Sequence, residues 1–261
     1  LELSRIGVHP SLIMNGYRIA VEEALSQLEE ISREANEEQL ADAIATTMAG
    51  KIDTALSRRM TGLALKTALA LAEEEGGDDL ERVRVKRLKM ADGVAADSEI
   101  AHGLVLRKQR LDFSTPSHSE GGRIAIIDGG LENRELEFDA QIEIRSTGVL
   151  AGFAERKRAK LAAQVESLSA LNIDLLCVRD GVADDAEPFL KKAGITAYRR
   201  FEREDLERLC VLTGARMVRN ANRISADDVG AYTSRSEEKV EDAWHLRIDG
   251  TGAAMTALLR G

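Results

Sequence analysis

The chain has 261 residues, 44% hydrophobic and 31% charged, with a formal net charge of −9. That length buries a sizeable core, and that composition excludes a disordered chain. Acidic charge spread along the sequence, with no basic stripe, argues against nucleic acid as the main partner. No apolar run reaches the roughly 20 residues needed to span a bilayer.

The first residues, Leu1 to Arg5, lack the charged stretch, apolar core and cleavage site of a secretory leader, so a cytoplasmic location is expected. No Met opens the chain, which reads as a segment. Cys177 and Cys210 each sit inside an apolar run and are expected as buried free thiols in a reducing compartment.

Residues 11–49 are helical by period, with Ile19, Leu25, Leu28 and Ile31 on one face and a second apolar set at Leu40, Ala43, Ile44 and Met48. Residues 52–75 predict another helix, stopped by Gly76-Gly77. From Val83 to Leu88 apolar and charged residues alternate, as in a half-buried strand. Asp112 to Gly122 is rich in turn formers and marks a boundary. Beyond it come a short buried strand at Ile124–Ile127 and a second alternation from Glu137 to Arg145. A long helix is predicted over Val149–Leu171. Strands at Ile173–Val178, Ile195–Tyr198 and Arg216–Val218 then alternate with helices at Asp184–Lys192 and Glu204–Thr213. Strands separated by ten-residue helices imply βαβ units and an α/β fold with a partly parallel sheet. A last strand runs from Met255 to Leu259.

Chemistry-bearing motifs are sparse. His9, His102, His118 and His245 have no metal-ligand spacing, and Ser117-His118-Ser119 places Ser beside His without the geometry of a triad. Asp180, Asp184, Asp185 and Glu187 lack the spacing of a calcium loop; Asp184 is expected instead as an N-cap, with Glu187 completing a capping box. Asp249-Gly250-Thr251-Gly252 looks like a phosphate loop, but a strand follows it, so a hairpin turn is expected. The basic run Arg156, Lys157, Arg158 and Lys160 reads as a solvated helix face. On the same helix Ala154, Leu161, Val165 and Leu168, with Leu150 and Phe153, form an apolar stripe that periodicity alone assigns to a core.

Three stretches carry a family resemblance. Gly7-Val8-His9-Pro10 through Ile13, then Gly16-Tyr17, is similar to the "G-I-H-P-x-x-I-x-x-G-Y" of group II chaperonins, the archaeal thermosome and eukaryotic cytosolic type. Asp97-Ser98-Glu99-Ile100 with Gly103-Leu104-Val105 resembles "D-T-E-L-x-x-G-I-V". Asp180 to Ile195, Arg199-Arg200 and Thr213-Gly214-Ala215-Arg216 resemble "K-G-I-D-D-x-A-x-x-x-L-x-K-A-G-I-x-A-x-R-R … T-G-A-R-I-V". Departures occur at Phe113 to His118, where the family has "H-P-G-M-P-K", and at Ala91-Asp92-Gly93, where a double Gly is missing.

The resemblance implies a chaperonin-type apical domain, with a mixed sheet, flanking helices and a long helical protrusion, joined to a smaller helical and β intermediate domain. Residues 1–45 would be remnant equatorial helices, 46–109 the first intermediate segment, and 110–261 the apical domain with the protrusion at about 146–171. Lys51, in a stretch similar to "T-S-L-x-x-K", would sense nucleotide. Leu150, Phe153 and Leu161 of the protrusion, with Leu206, Leu209 and Leu212 of the later helix, would contact substrate. Unfolded proteins and homologous ring subunits are the implied partners, with no nucleic acid and no membrane. The intact family subunit uses ATP and magnesium, but its phosphate loop and catalytic Asp match nothing here, so this chain is expected to hold no cofactor and show no ATPase activity. The implied function is a chaperone module that binds unfolded protein and forms the built-in lid of a ring; the alternative is a stand-alone adaptor or holdase.

Overall fold

A computed structural model describes residues 2–72, 84–132 and 147–261. The chain divides into two compact units, Leu1–Ile52 and Asp53–Gly261. The first holds α1 (Glu2–Arg5), α2 (Pro10–Ile31) and α3 (Glu37–Met48). α2 starts at Pro10 because His9 is extended and its imidazole accepts the Ser11 amide, while a proline in the first turn loses no helix bond. α3 opens on a reciprocal capping box between Asn36 and Gln39, with bonds of 2.9 and 3.1 Å. The predicted stripe of Ile19, Leu25, Leu28 and Ile31 lies on α2 and is more than half exposed at every position.

The second unit opens with α4 (Thr54–Ala72), whose first amides, those of Ala55 and Leu56, are capped by the Asp53 carboxylate at 3.0 Å. The predicted stop at Gly76-Gly77 and the predicted strand at Glu137 to Arg145 lie outside the described residues. Five strands follow: β1 (Val85–Lys89), β2 (Glu99–His102), β3 (Leu104–Leu106), β4 (His118–Ser119) and β5 (Gly122–Ile127). Then come α5 (Thr147–Ala170), β6 (Leu175–Val178), α6 (Glu187–Ala193), β7 (Thr196–Tyr198), α7 (Arg203–Thr213) and β8 (Met217–Val218). The chain closes through β9 (Gly230–Tyr232), β10 (Ser234–Val240), β11 (Ala243–Asp249) and β12 (Met255–Leu259).

These strands make three sheets. One has the order β7-β6-β5-β8, all parallel, with β9 antiparallel to the start of β5. β6, β7 and β5 from Ile124 onward are buried on both faces, as a parallel sheet covered twice must be. Ala125 and Ile127 of β5 pack with Leu161, Val165 and Leu168 of α5 and Leu190 of α6. Ile124 and Ile126 point the other way, onto α7 and onto Leu246 and Ile248 of a four-stranded sheet ordered β3-β11-β10-β4. The third sheet, β1-β12-β2, has the chain's last strand at its centre.

Sheet pairings therefore run across the division expected at residue 110. β3 lies before it but pairs with β11, and β12 lies after it but pairs with β1 and β2. The glycine motif at 249–252 is likewise not a hairpin, because β11 and β12 belong to different sheets. The loop is diverted onto the end of α7: Gly252 N donates to Leu212 O at 2.9 Å, and a Cβ on Gly252 would meet Val211 O at 1.9 Å. The capping box expected at Asp184 is also absent. Ala183 takes the N-cap position with no side-chain bond, and Asp184 and Asp185 lie inside the short 3₁₀ turn that follows.

The buried Thr256 hydroxyl ties β12 to the turn from β2 into β3, donating to Gly103 O at 3.1 Å and accepting from Val105 N at 3.0 Å. Thr256→Val keeps the shape and strands both backbone groups. It should lower unfolding stability by about 1–3 kcal/mol, read as a lower urea midpoint at unchanged slope.

Candidate functional site

The leucines singled out as substrate contacts are core residues. Helical period puts Leu206, Leu209 and Leu212 on one face of α7, and that face meets Ile124, Ile126, Leu175 and Tyr198; their exposures are 0, 0 and 1%. Leu161 is 1% exposed and packs with Val165 and Leu168 on the opposite face of the parallel sheet. These four residues therefore do not converge on one surface, and none can reach a macromolecular partner without unfolding. Leu150 and Phe153 fall within α5, but their side chains lie outside the described residues. The basic run at Arg156 to Lys160 is exposed, as predicted.

Lys51 belongs to the first unit. It is exposed just past α3, its amide donating to Met48 O at 3.1 Å, beside Gly50 in the left-handed conformation (φ 71°). The preceding hydroxyls are bonded back onto the helix, Thr46 to Asp42 O and Thr47 to Ile44 O.

What α7 shows to solvent is ionic. Arg203 pairs with Glu207 at 3.0 Å and Arg208 with Glu204 at 3.4 Å, while Arg208 also reaches the buried Asp205 at 2.9 Å. Lys108 lies close by, its amine over the Phe201 ring at 5.1 Å; burial lowers its pKa although Asp205 and Glu202 oppose the shift.

Among the described residues of the second unit, the large hydrophobic side chains that stay exposed are Val94 at 60% and Phe113 at 51%. Phe113 leans on Trp244 with ring centroids 5.3 Å apart at 54°, and the Arg110 guanidinium lies 4.9 Å from its ring. Arg110 in turn holds Glu237, by side chain at 2.7 Å and by its own amide at 2.8 Å, with the Glu237 carboxylate fully buried. Sequence reasoning missed this aromatic pair because Phe113 sits among turn formers and Trp244 lies about 130 positions away, across an antiparallel hairpin that only the fold brings near.

Reactive chemistry is not assembled among the described residues. Ser119 Oγ donates to Gly121 O rather than to His118, and the exposed His118 has only Glu120 at 4.0 Å. No group of three or more His, Cys, Asp or Glu residues could hold a metal ion there. Asp180, part of the acidic cluster, pairs with Arg179 at 3.1 Å. Burial pushes the Cys177 thiol far up, and burial followed by Glu207 pushes Cys210 up to about 11. No described helix is long and apolar enough to cross a membrane.

The sequence model of the TCP-1/cpn60 chaperonin family matches residues 1–261. A thermosome subunit of Methanopyrus kandleri is 32% identical over 266 residues, covering 100% of this chain and 49% of that protein. One from Pyrococcus abyssi is 31% identical over 268 residues, covering 100% and 48%, and thermosome subunit 1 of Haloferax volcanii is 33% identical over 259 residues, covering 97% and 46%. The chain thus spans about half the length of the curated relatives it matches. Among solved structures, the open-state monomer of a group II chaperonin from Methanococcoides burtonii superposes with a TM-score of 0.73 at 28% identity, over 100% of this chain and 60% of that one.

Core and surface assignments separate cleanly by stability. Leu206→Ala should cost about 2–5 kcal/mol, whereas Phe113→Ser should stay within about 0.5 kcal/mol, as exposed positions do. Equal effects in chemical denaturation would refute the burial assigned to α7. The raised thiol pKa values also predict that at pH 8 both cysteines are protonated in the folded chain. Ellman's reagent should then react fully only after denaturant is added.

Proposed function

We propose that this chain, which belongs to the TCP-1/cpn60 chaperonin family, is the client-handling and lid-forming part of a group II chaperonin subunit, working within an ATP-driven ring of homologous subunits in the cytoplasm. The observation that carries this reading is the likeness to a group II chaperonin monomer, which covers 100% of this chain.

Client contact then has to be relocated. A chaperone that holds many non-native chains needs exposed apolar or aromatic surface, and Leu161, Leu206, Leu209 and Leu212 are spent on the core. The reading therefore assigns client contact to Leu150 and Phe153, in the first half of α5, together with Phe113, which is exposed on its Trp244 support. The solvent face of α7 would add charge complementarity through Arg203, Glu204 and Glu207 rather than apolar grip. Lys51 would sense nucleotide, with ATP and magnesium held by residues that this sequence does not include.

The purified chain should slow aggregation of a chemically denatured client, measured by light scattering. Leu150→Ser combined with Phe153→Ser should remove most of that effect while the thermal midpoint stays within a few degrees. Full suppression by the double variant would overturn the assignment of client contact to α5. No phosphate release from ATP above buffer is expected; release abolished by Lys51→Ala would show that this stretch carries more than a sensor.

A further inference from the structure

The chain passes between the three-stranded sheet and the four-stranded sheet twice, at one place. β2 passes through Gly103 into β3, and β11 passes through residues 250–254 back into β12. The two crossings are bonded to each other, with Gly103 N donating to Ala254 O at 3.0 Å and the Thr256 hydroxyl reaching both Gly103 and Val105. Gly103 is in the left-handed region (φ 74°), and a Cβ there would meet Ile248 O at 2.4 Å, so this crossing admits only glycine. Apart from the crossings, the small sheet meets the larger layer through a small apolar cluster: Met90, Ala101 and Leu258, with Val105 of β3. Two adjacent crossings form a hinge line, about which the layers can turn by sliding within this small cluster while the two cores of the larger layer stay intact.

Among the described residues one ion pair spans these layers. Lys86 on β1, at the edge of the small sheet, reaches Asp205 in the first turn of α7. We propose that Lys86–Asp205 is a releasable clasp on this hinge, fixing the small sheet against α7 when closed and freeing it to turn when open.

The argument rests on what each partner keeps after separation. Asp205 is nearly buried, but Arg208 on its own helix holds the same carboxylate oxygen at 2.9 Å, so release of Lys86 leaves no stranded charge. Lys86 sits on an edge strand and returns to water, where an ammonium is well solvated. Its neighbour Lys108 repels it and favours that exit. The Arg110–Glu237 pair is the contrast. Glu237 is fully buried with Arg110 as its one cationic partner, and both belong to the larger layer, so it behaves as a lock.

The test uses the 261-residue chain with nitroxides at Lys89→Cys on β1 and Lys192→Cys on α6, in a Cys210→Ala background, and reads their distance distribution by pulsed electron resonance. With Lys86 present the distribution should be narrow at low salt. It should broaden and gain a longer-distance shoulder at about 1 M salt, where the screening length is about 3 Å. Lys86→Gln should show the broad form at both salt concentrations. A narrow distribution unaffected by Lys86→Gln and by salt overturns the proposal. So does broadening accompanied by lost amide protection along β12, because the sheet has then unfolded rather than turned.

Discussion

The second unit is organised around one strand, β5, whose last four residues have no solvent-facing side. From Ile124 to Ile127, successive side chains of β5 enter two different cores, and β6 repeats the pattern with Leu175 and Cys177 on one face and Leu176 and Val178 on the other. A strand in this position must be covered twice, which places α5 and α6 on one face and α7 with the four-stranded sheet on the other. Covering it consumes the apolar stripes of α5 and α7 over the described residues. Among the described residues of the second unit, the surface left for a partner is therefore set by the demands of the core: ionic on α7, with Val94 and Phe113 as the large hydrophobic side chains left exposed.

Much of the local structure was legible in the sequence. Alternation of short apolar runs with ten-residue helical periods gave the βαβ order from β5 to β8, with ends displaced by up to three residues. The ordered family motifs gave the fold class. Two things were not legible, for one physical reason each. Whether an apolar stripe on an amphipathic helix faces a core or a partner depends on tertiary packing, and periodicity reports only that the face exists; Leu206, Leu209 and Leu212 illustrate this. Which strand pairs with which is a nonlocal property, so Gly250 and Gly252 read as a hairpin turn although they divert the chain between sheets.

Buried charge in the larger layer is handled in two ways: Arg110 pairs with a buried carboxylate, whereas Arg235 has no anion in contact. Arg235 is 2% exposed, and its guanidinium is satisfied by neutral acceptors, with Pro116 O and Thr196 Oγ1 each at 2.9 Å and the Tyr232 hydroxyl at 3.3 Å. Tyr232 passes its own proton toward Asp174, and burial, then that carboxylate, raises its pKa. A buried cation spread over several dipoles ties β10 to β7, β9 and the segment before β4 without needing a buried anion in contact, which a desolvated pair would make costly to separate.

The central position of β12 also constrains how the protein can be made. β1 is complete at Lys89, yet its parallel partner begins at Met255, after the whole doubly wound layer has been written. At about 5–20 residues per second, a ribosome takes on the order of ten to thirty seconds to cover that interval. Through that time β1 and β2 wait with unpaired edges, and the small sheet can close only once β12 has emerged. Lys86, Arg87 and Lys89 lie along the waiting edge, where like charges discourage pairing between nascent chains on one polysome.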